Sequence, residues 1–200
     1  MRVLFLDFDG VLNSESWMLA HPQANFLRAL DRSAVALLAE IVSRTQARIV
    51  VSSSWRRMYS LNALREVLVE GGLPTSCEII GVTPALDRSP DGDRFVRGDE
   101  IQHWLDEASR GEQTNKVELF AILDDDDDMA HLRHRLVRTD FKVGLDRAAV
   151  ERVVALLTPD GELRCRRCCS ENINLEPAAL GPGAACFNAD CRACGAAYGI

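Results

Sequence analysis

Two hundred residues, 47% hydrophobic and 26% charged, suit one medium domain plus an appendage, with a core that needs no covalent staples. A net charge of −7 argues against non-specific wrapping of nucleic acid, although a local basic groove survives any average over faces. The opening apolar run is too short for a signal peptide, and no stretch approaches the ~20 apolar residues of a bilayer span. The chain is therefore expected to be cytoplasmic, without a membrane partner.

In chain order, residues 3–6 read as a strand buried on both faces, because the run is apolar without alternation. A polar loop follows Gly10. Val35, Leu37, Leu38, Ile41 and Val42 fall at helical spacing, which predicts a helix over 33–42 capped by Ser33. Residues 47–51 predict a second buried strand, running into Ser52-Ser53-Ser54-Trp55-Arg56. Residues 61–70 predict a helix closed by Gly71-Gly72. A short strand is expected over 78–83 and a loop over 84–98, where Pro, Asp, Gly and Arg concentrate. Residues 99–108 predict a helix through Ile101, Trp104 and Leu105. Residues 117–123 predict a strong strand that ends in five aspartates, 124–128. A short strand is expected over 134–138, and a final helix, capped by Asp146, through Leu157.

Strands alternating with helices imply an α/β fold, a parallel sheet covered on both faces. Ligands of such sheets sit beyond the carboxyl ends of the strands. That rule gathers Asp7, Asp9, Ser52 to Ser54 and the aspartate run into one crevice, although they lie far apart in sequence.

Asp7 and Asp9 flank Phe8, so an extended backbone turns both carboxylates the same way. Gly10 lets the chain turn away and a ligand approach. Two carboxylates this close repel, and a divalent cation relieves the repulsion; Mg²⁺ prefers such oxygen ligands. One aspartate can then attack phosphorus while the other exchanges a proton with the leaving group and with water. The serine cluster offers neutral donors to a phosphate. Arg56 and Arg57 are either within reach of an anion or solvated. Asp124 and Asp125 come first after their strand and are the natural metal ligands. Arg97 is the first choice for a cation facing the phosphate, with Lys142 and Lys116 as alternatives.

These motifs, in this order, resemble the haloacid dehalogenase (HAD) superfamily of phosphatases. The match runs through Leu-Phe-Leu-Asp7-Phe-Asp9-Gly10-Val-Leu-Asn, Ile-Val-Val-Ser-Ser-Ser-Trp-Arg56 and Phe-Ala-Ile-Leu-Asp124-Asp125, over residues 1 to about 157. The serine segment, the helix around Trp104, the aspartate run and the 136–145 stretch are most similar to HAD domains of Swiss Army knife RNA-repair proteins. The resemblance implies a Rossmann-like three-layer sandwich with a mainly parallel sheet. It implies Asp7 as nucleophile and metal ligand, and Asp9 as general acid/base whose backbone carbonyl also faces the metal. It further implies Ser52 or Ser53 as phosphate ligand, with Asp124 or Asp125 completing a Mg²⁺ shell. The intervals 13–46 and 55–96 leave no room for a large cap domain. An open crevice suits a polymer end or a phosphoprotein better than a small sugar phosphate.

Six of the seven cysteines fall beyond residue 164. Cys165, Cys168, Cys191 and Cys194 form two Cys-x-x-Cys pairs, the pattern of a tetrahedral Zn²⁺ ribbon, with Cys169 and Cys186 as spare thiols. The expected division is a phosphatase domain over 1–158 and a zinc ribbon over 159–200. Arg164, Arg166, Arg167 and Arg192 make the ribbon basic, which suggests either docking on a nucleic-acid backbone or, equally, a structural clip or protein-contact module. The expected function is a Mg²⁺-dependent phosphomonoesterase acting on RNA or DNA ends or nucleotides. The alternatives are a phosphoprotein phosphatase, or a non-catalytic scaffold that presents the ribbon. The oligomeric state is open.

Overall fold

In the computed structural model, the described residues are 1–24, 29–86, 96–111 and 116–158, with the backbone alone of 173–177, 187–191 and 197–199. The chain divides into two compact units, Met1–Leu157 and Thr158–Ile200.

The first unit runs β1 (Arg2–Leu6), α1 (Glu15–Ala20), α2 (Arg32–Thr45), β2 (Arg48–Val51), α3 (Leu61–Glu70), β3 (Ile79–Val82), α4 (Arg97–Arg110), β4 (Leu119–Asp124), β5 (Leu136–Arg138) and α5 (Arg147–Leu157). Single 3₁₀ turns, Ser54–Arg57 and Ala130–Arg135, follow β2 and precede β5. The five strands form an all-parallel sheet in the order β3-β2-β1-β4-β5. The fold is thus α/β, as the alternation of strands and helices implied.

Alternate side chains of the central strands feed two cores. Leu4, Leu6, Ile49, Val51 and Leu123 pack under α2, α3 and α5. Val3, Phe5, Val50 and Ile122 pack under Ile101 and Trp104 of α4 and under Leu132. Burial on both faces is why these strands read as unbroken apolar runs. Crossovers from β1 through β3 lie on one face, and α4 carries the chain back across to β4 on the other. The strand order therefore reverses at β1, and the crevice where a parallel sheet binds its ligands opens between the ends of β1 and β4.

Several elements differ from expectation. The loop after Gly10 contains α1, capped by the Ser14 hydroxyl, which accepts from the Trp17 amide. None of its residues is buried, so it carries no apolar stripe to read. Helix α2 begins one residue earlier than expected, and its cap is Asp31, whose carboxylate accepts from the Ser33 amide. Helix α4 starts at Arg97 rather than Asp99, with Asp99 folded back onto the Val96 amide. His134 and Arg135 belong to a 3₁₀ turn, and only 136–138 pair as a strand. Among the described residues, the path from β1 to β2 holds only α1 and α2, and that from β2 to β3 only a 3₁₀ turn and α3; neither forms a cap layer.

The second unit contains a three-stranded antiparallel sheet, β6 (Ile173–Pro177), β7 (Phe187–Cys191) and β8 (Ala197–Gly199), in that order. Cys165, Cys168 and Cys194 lie outside the described residues, as does the side chain of Cys191.

Candidate active site

Asp7 continues the β1 ladder, its amide donating to Leu123 O at 3.0 Å. Asp124 closes β4 beside it. Carboxylate oxygens of Asp7, Asp124 and Asp125 all lie within 4.8 Å of one another. Asp7 and Asp124 are buried and Asp125 is half-buried.

Arg97, the first residue of α4, reaches across the strand ends. One of its guanidinium nitrogens stands 3.1 Å from Asp7 Oδ2 and 2.9 Å from Asp124 Oδ2. Gly98 makes this reach possible. A Cβ there would sit 2.2 Å from Met129 O, so only glycine lets the first turn of α4 press so closely on the loop after β4. Lys116 and Lys142 are exposed and take no part in this contact.

Gly10 has a left-handed backbone, φ +68°. The space a Cβ would fill there is occupied by the Asp125 carboxyl, 2.5 Å from the ideal Cβ position. The close approach read from the sequence is thus made by Asp125. Thr139 fastens the same turn, its hydroxyl donating to Gly10 O at 2.8 Å.

The remaining aspartates of the run have separate duties. Asp127 pairs with Arg133 at 2.6 Å. Asp128 accepts from the amides of Arg97 and Gly98 and so caps α4. Asp126 donates its amide to Asp124 Oδ1 at 3.0 Å.

The electrostatics follow from crowding. Burial pushes Asp124 up to about 8, helped by the charge of Asp7 and opposed by Arg97. Burial also pushes Asp125 up to about 6, with Asp7 and Asp126 adding to the rise. Burial raises Asp7, and Arg97 and the Ser53 side chain pull it back. Burial alone would lower Arg97, but Asp7, Asp124 and Asp128 outweigh it and raise it.

Asp7 Oδ1 is buried and has no hydrogen-bond partner among the described residues. A cluster of hard oxygen donors with an unpartnered buried oxygen and raised carboxyl pKa values fits a divalent cation such as Mg²⁺. Ser52 and Ser53 are both fully buried. The Ser52 hydroxyl is without a partner among the described residues, while the Ser53 hydroxyl accepts from the Trp55 amide at 3.4 Å.

The carboxylate of Asp9 is turned elsewhere. Its Oδ1 accepts from Asn13 Nδ2 at 3.1 Å and its Oδ2 from Trp55 Nε1 at 2.9 Å. Arg56 is not a solvated surface residue, since its side chain is 3% exposed and pairs with Glu100, 7% exposed. It also donates to the carbonyls of Ser53 and Thr83. Asn13 and Glu100 escaped the sequence reading. A glutamate in the first turn of a helix looks like ordinary surface, and the one available signal was its place directly beside the fully buried Ile101. A cleft of about 370 Å³ lies beside Arg97, lined by Ser54, Arg57, Val96 and Asp128 together with the Arg56–Glu100 pair.

No helix of the described residues is long and apolar enough to cross a membrane. No curated protein and no solved structure matches the chain. The sequence profile of one family, described as "HAD domain in Swiss Army Knife RNA repair proteins", matches residues 3–150. The match spans every element of the first unit from β1 into α5 and includes the carboxylate cluster. The chain therefore belongs to the HAD domains of Swiss Army Knife RNA repair proteins, and with them to the HAD-type phosphatases and hydrolases.

Proposed function

We propose that the protein is a Mg²⁺-dependent phosphomonoesterase that works through an aspartyl-phosphate on Asp7, with phosphorylated nucleic-acid ends or nucleotides as substrates. The observation that carries this reading is the meeting of Asp7, Asp124 and Asp125 within 4.8 Å at the carboxyl edge of the sheet, with Arg97 bridging two of them. The bound cation would be held by those three carboxylates and the Asp9 backbone carbonyl, and would supply charge neutralisation for the phosphoryl oxygens. An Asp7 oxygen attacks phosphorus while the bond to the leaving oxygen breaks. Asp9 gives that oxygen its proton. Water then attacks the phosphorus of the aspartyl-phosphate, loses its proton to Asp9, and releases inorganic phosphate and free Asp7. Arg97 and a hydroxyl of Ser52 or Ser53 hold the phosphoryl oxygens.

Two observations support the substrate class. The described residues form no cap layer over the strand ends, which leaves room for a polymer terminus. The proteins for which the family is named repair RNA. The two Cys-x-x-Cys pairs, Cys165/Cys168 and Cys191/Cys194, support a structural Zn²⁺ site, on their spacing.

The test is hydrolysis of 4-nitrophenyl phosphate with Mg²⁺, then of 3′- and 5′-phosphorylated oligonucleotides, nucleotides and phosphopeptides. Asp7→Asn should lower kcat by several orders of magnitude, since the anionic carboxylate that attacks becomes a neutral amide. EDTA should abolish turnover. Full activity in Asp7→Asn would sink the mechanism. A preference for phosphopeptides would overturn the substrate class.

A further inference from the structure

Asp9 is held in an unusual way for a residue at a cluster of acids. Its two carboxylate oxygens each accept a bond from a neutral N–H donor, and the donors come from different elements. Asn13 ends the tight turn after β1, where the amides of Val11, Leu12 and Asn13 all point at Phe8 O. Trp55 belongs to the 3₁₀ turn after β2.

Both donors are themselves fixed. Asn13 is fully buried, and its carbonyl accepts from the Gly10 amide at 3.2 Å. Trp55 is 2% exposed and packs edge-on against Phe8, with ring centroids 5.2 Å apart, and against Tyr59 at 6.0 Å. A buried indole N–H is a donor only, and leaving it unpaired destabilises the fold. Asp9 is thus the anchor point of two rigid groups, and its carboxylate cannot swing toward Asp7, Asp124 and Asp125 without stranding them.

We infer that Asn13 and Trp55 are positioning residues for proton transfer: together they fix the Asp9 carboxylate toward the leaving-group oxygen and away from the cation's carboxylates. The inference rests on the reading of Asp9 as general acid/base. A proton donor must meet the leaving oxygen within hydrogen-bond reach as the P–O bond breaks, and small displacements lower that probability steeply. Asn13 and Trp55 themselves touch no reacting atom.

The experiment compares phenyl phosphate with 4-nitrophenyl phosphate. Phenolate is the poorer leaving group and depends on protonation, whereas 4-nitrophenolate departs largely without it. Trp55→Phe keeps the aromatic packing and removes only the donor. Asn13→Ala removes the other donor from a separate element, so the test stands even if one variant does not fold. Each should lower kcat/KM on phenyl phosphate, which reports the steps up to loss of the phenol and not the later attack of water, by about 10-fold or more, a fraction of the ~10²–10⁴-fold that general acid catalysis supplies. The loss of kcat/KM on 4-nitrophenyl phosphate should stay below about 3-fold. Asp9→Asn calibrates the assay, with the same discrimination in kcat/KM at larger size. Equal losses of kcat/KM on both substrates in folded variants overturn the positioning role, and so does no loss at all. If Asp9→Asn itself fails to discriminate, the acid/base reading of Asp9 falls instead.

Discussion

The buried carboxylates of the site carry a cost that a melting experiment can read. The pKa of Asp124 is pushed up to about 8 by burial and by Asp7, and that of Asp125 to about 6. In the cation-free protein, folding therefore retains protons that the unfolded chain releases near its ordinary carboxylate range. The folded state binds more protons than the unfolded one, so stability falls as pH rises from about 4 to about 8. A cation needs the carboxylates ionised and removes the repulsion among them. The melting temperature in EDTA should drop from about pH 5 to about pH 8, and the gain from added Mg²⁺ should grow over the same window. A Mg²⁺ shift independent of pH would contradict the assignment of these carboxylates. At this scale the sequence put the acids at strand ends and Arg97 just before a helix, and the fold brings Arg97 against Asp7 and Asp124. It did not disclose the role of Gly10, because the occupant of the space above it, Asp125, comes from the far side of the chain.

Between elements, the Arg56–Glu100 pair ties the carboxyl ends of β2 and β3 to the start of α4. Arg56 donates to Ser52 O and Ser53 O after β2 and to Thr83 O after β3, and Glu100 also accepts from the Leu86 amide at 3.0 Å. Since Arg97 lies one turn before Glu100 on α4, the pair also helps set where Arg97 stands. Removing one partner strands a buried charge. Glu100→Ala should cost about 3–5 kcal/mol in a denaturant melt, and Arg56→Ala a similar amount. The double variant should lose clearly less than the sum, because the second removal relieves the charge stranded by the first. Additive losses would mean the two residues act independently. Nothing local signals this pair, whose members lie 44 positions apart. By contrast α3, which has both an apolar stripe and a glycine stop, was legible to its bounds. The six-residue α1 was not, because nothing in it is buried and helical periodicity is a record of burial.

On the scale of the whole molecule, alternation of strand and helix conveyed the sheet and the end at which the site lies. Strand order could not be read along the chain, because it depends on which face each crossover takes. The second unit is the place for a metal-content test. If the four cysteines hold Zn²⁺, the purified chain carries about one zinc, and stripping it should speed hydrogen exchange in β6, β7 and β8. Slow exchange in the stripped protein would argue against zinc as the support of that sheet.

The position of β1 has a last consequence. It is the first strand made and the central one in the sheet, yet one of its edges is filled by β4, which begins at Leu119. A growing chain thus carries β1 with its apolar side chains and one row of backbone donors and acceptors unpaired through the making of α2, β2, α3, β3 and α4. An unpaired apolar edge recruits other strands, so truncated or slowly completed chains should aggregate through β1. Asp7 and Asp124 meet only when that edge is closed, and so the appearance of hydrolytic activity during refolding would report the late docking of β4 rather than the collapse of the N-terminal half.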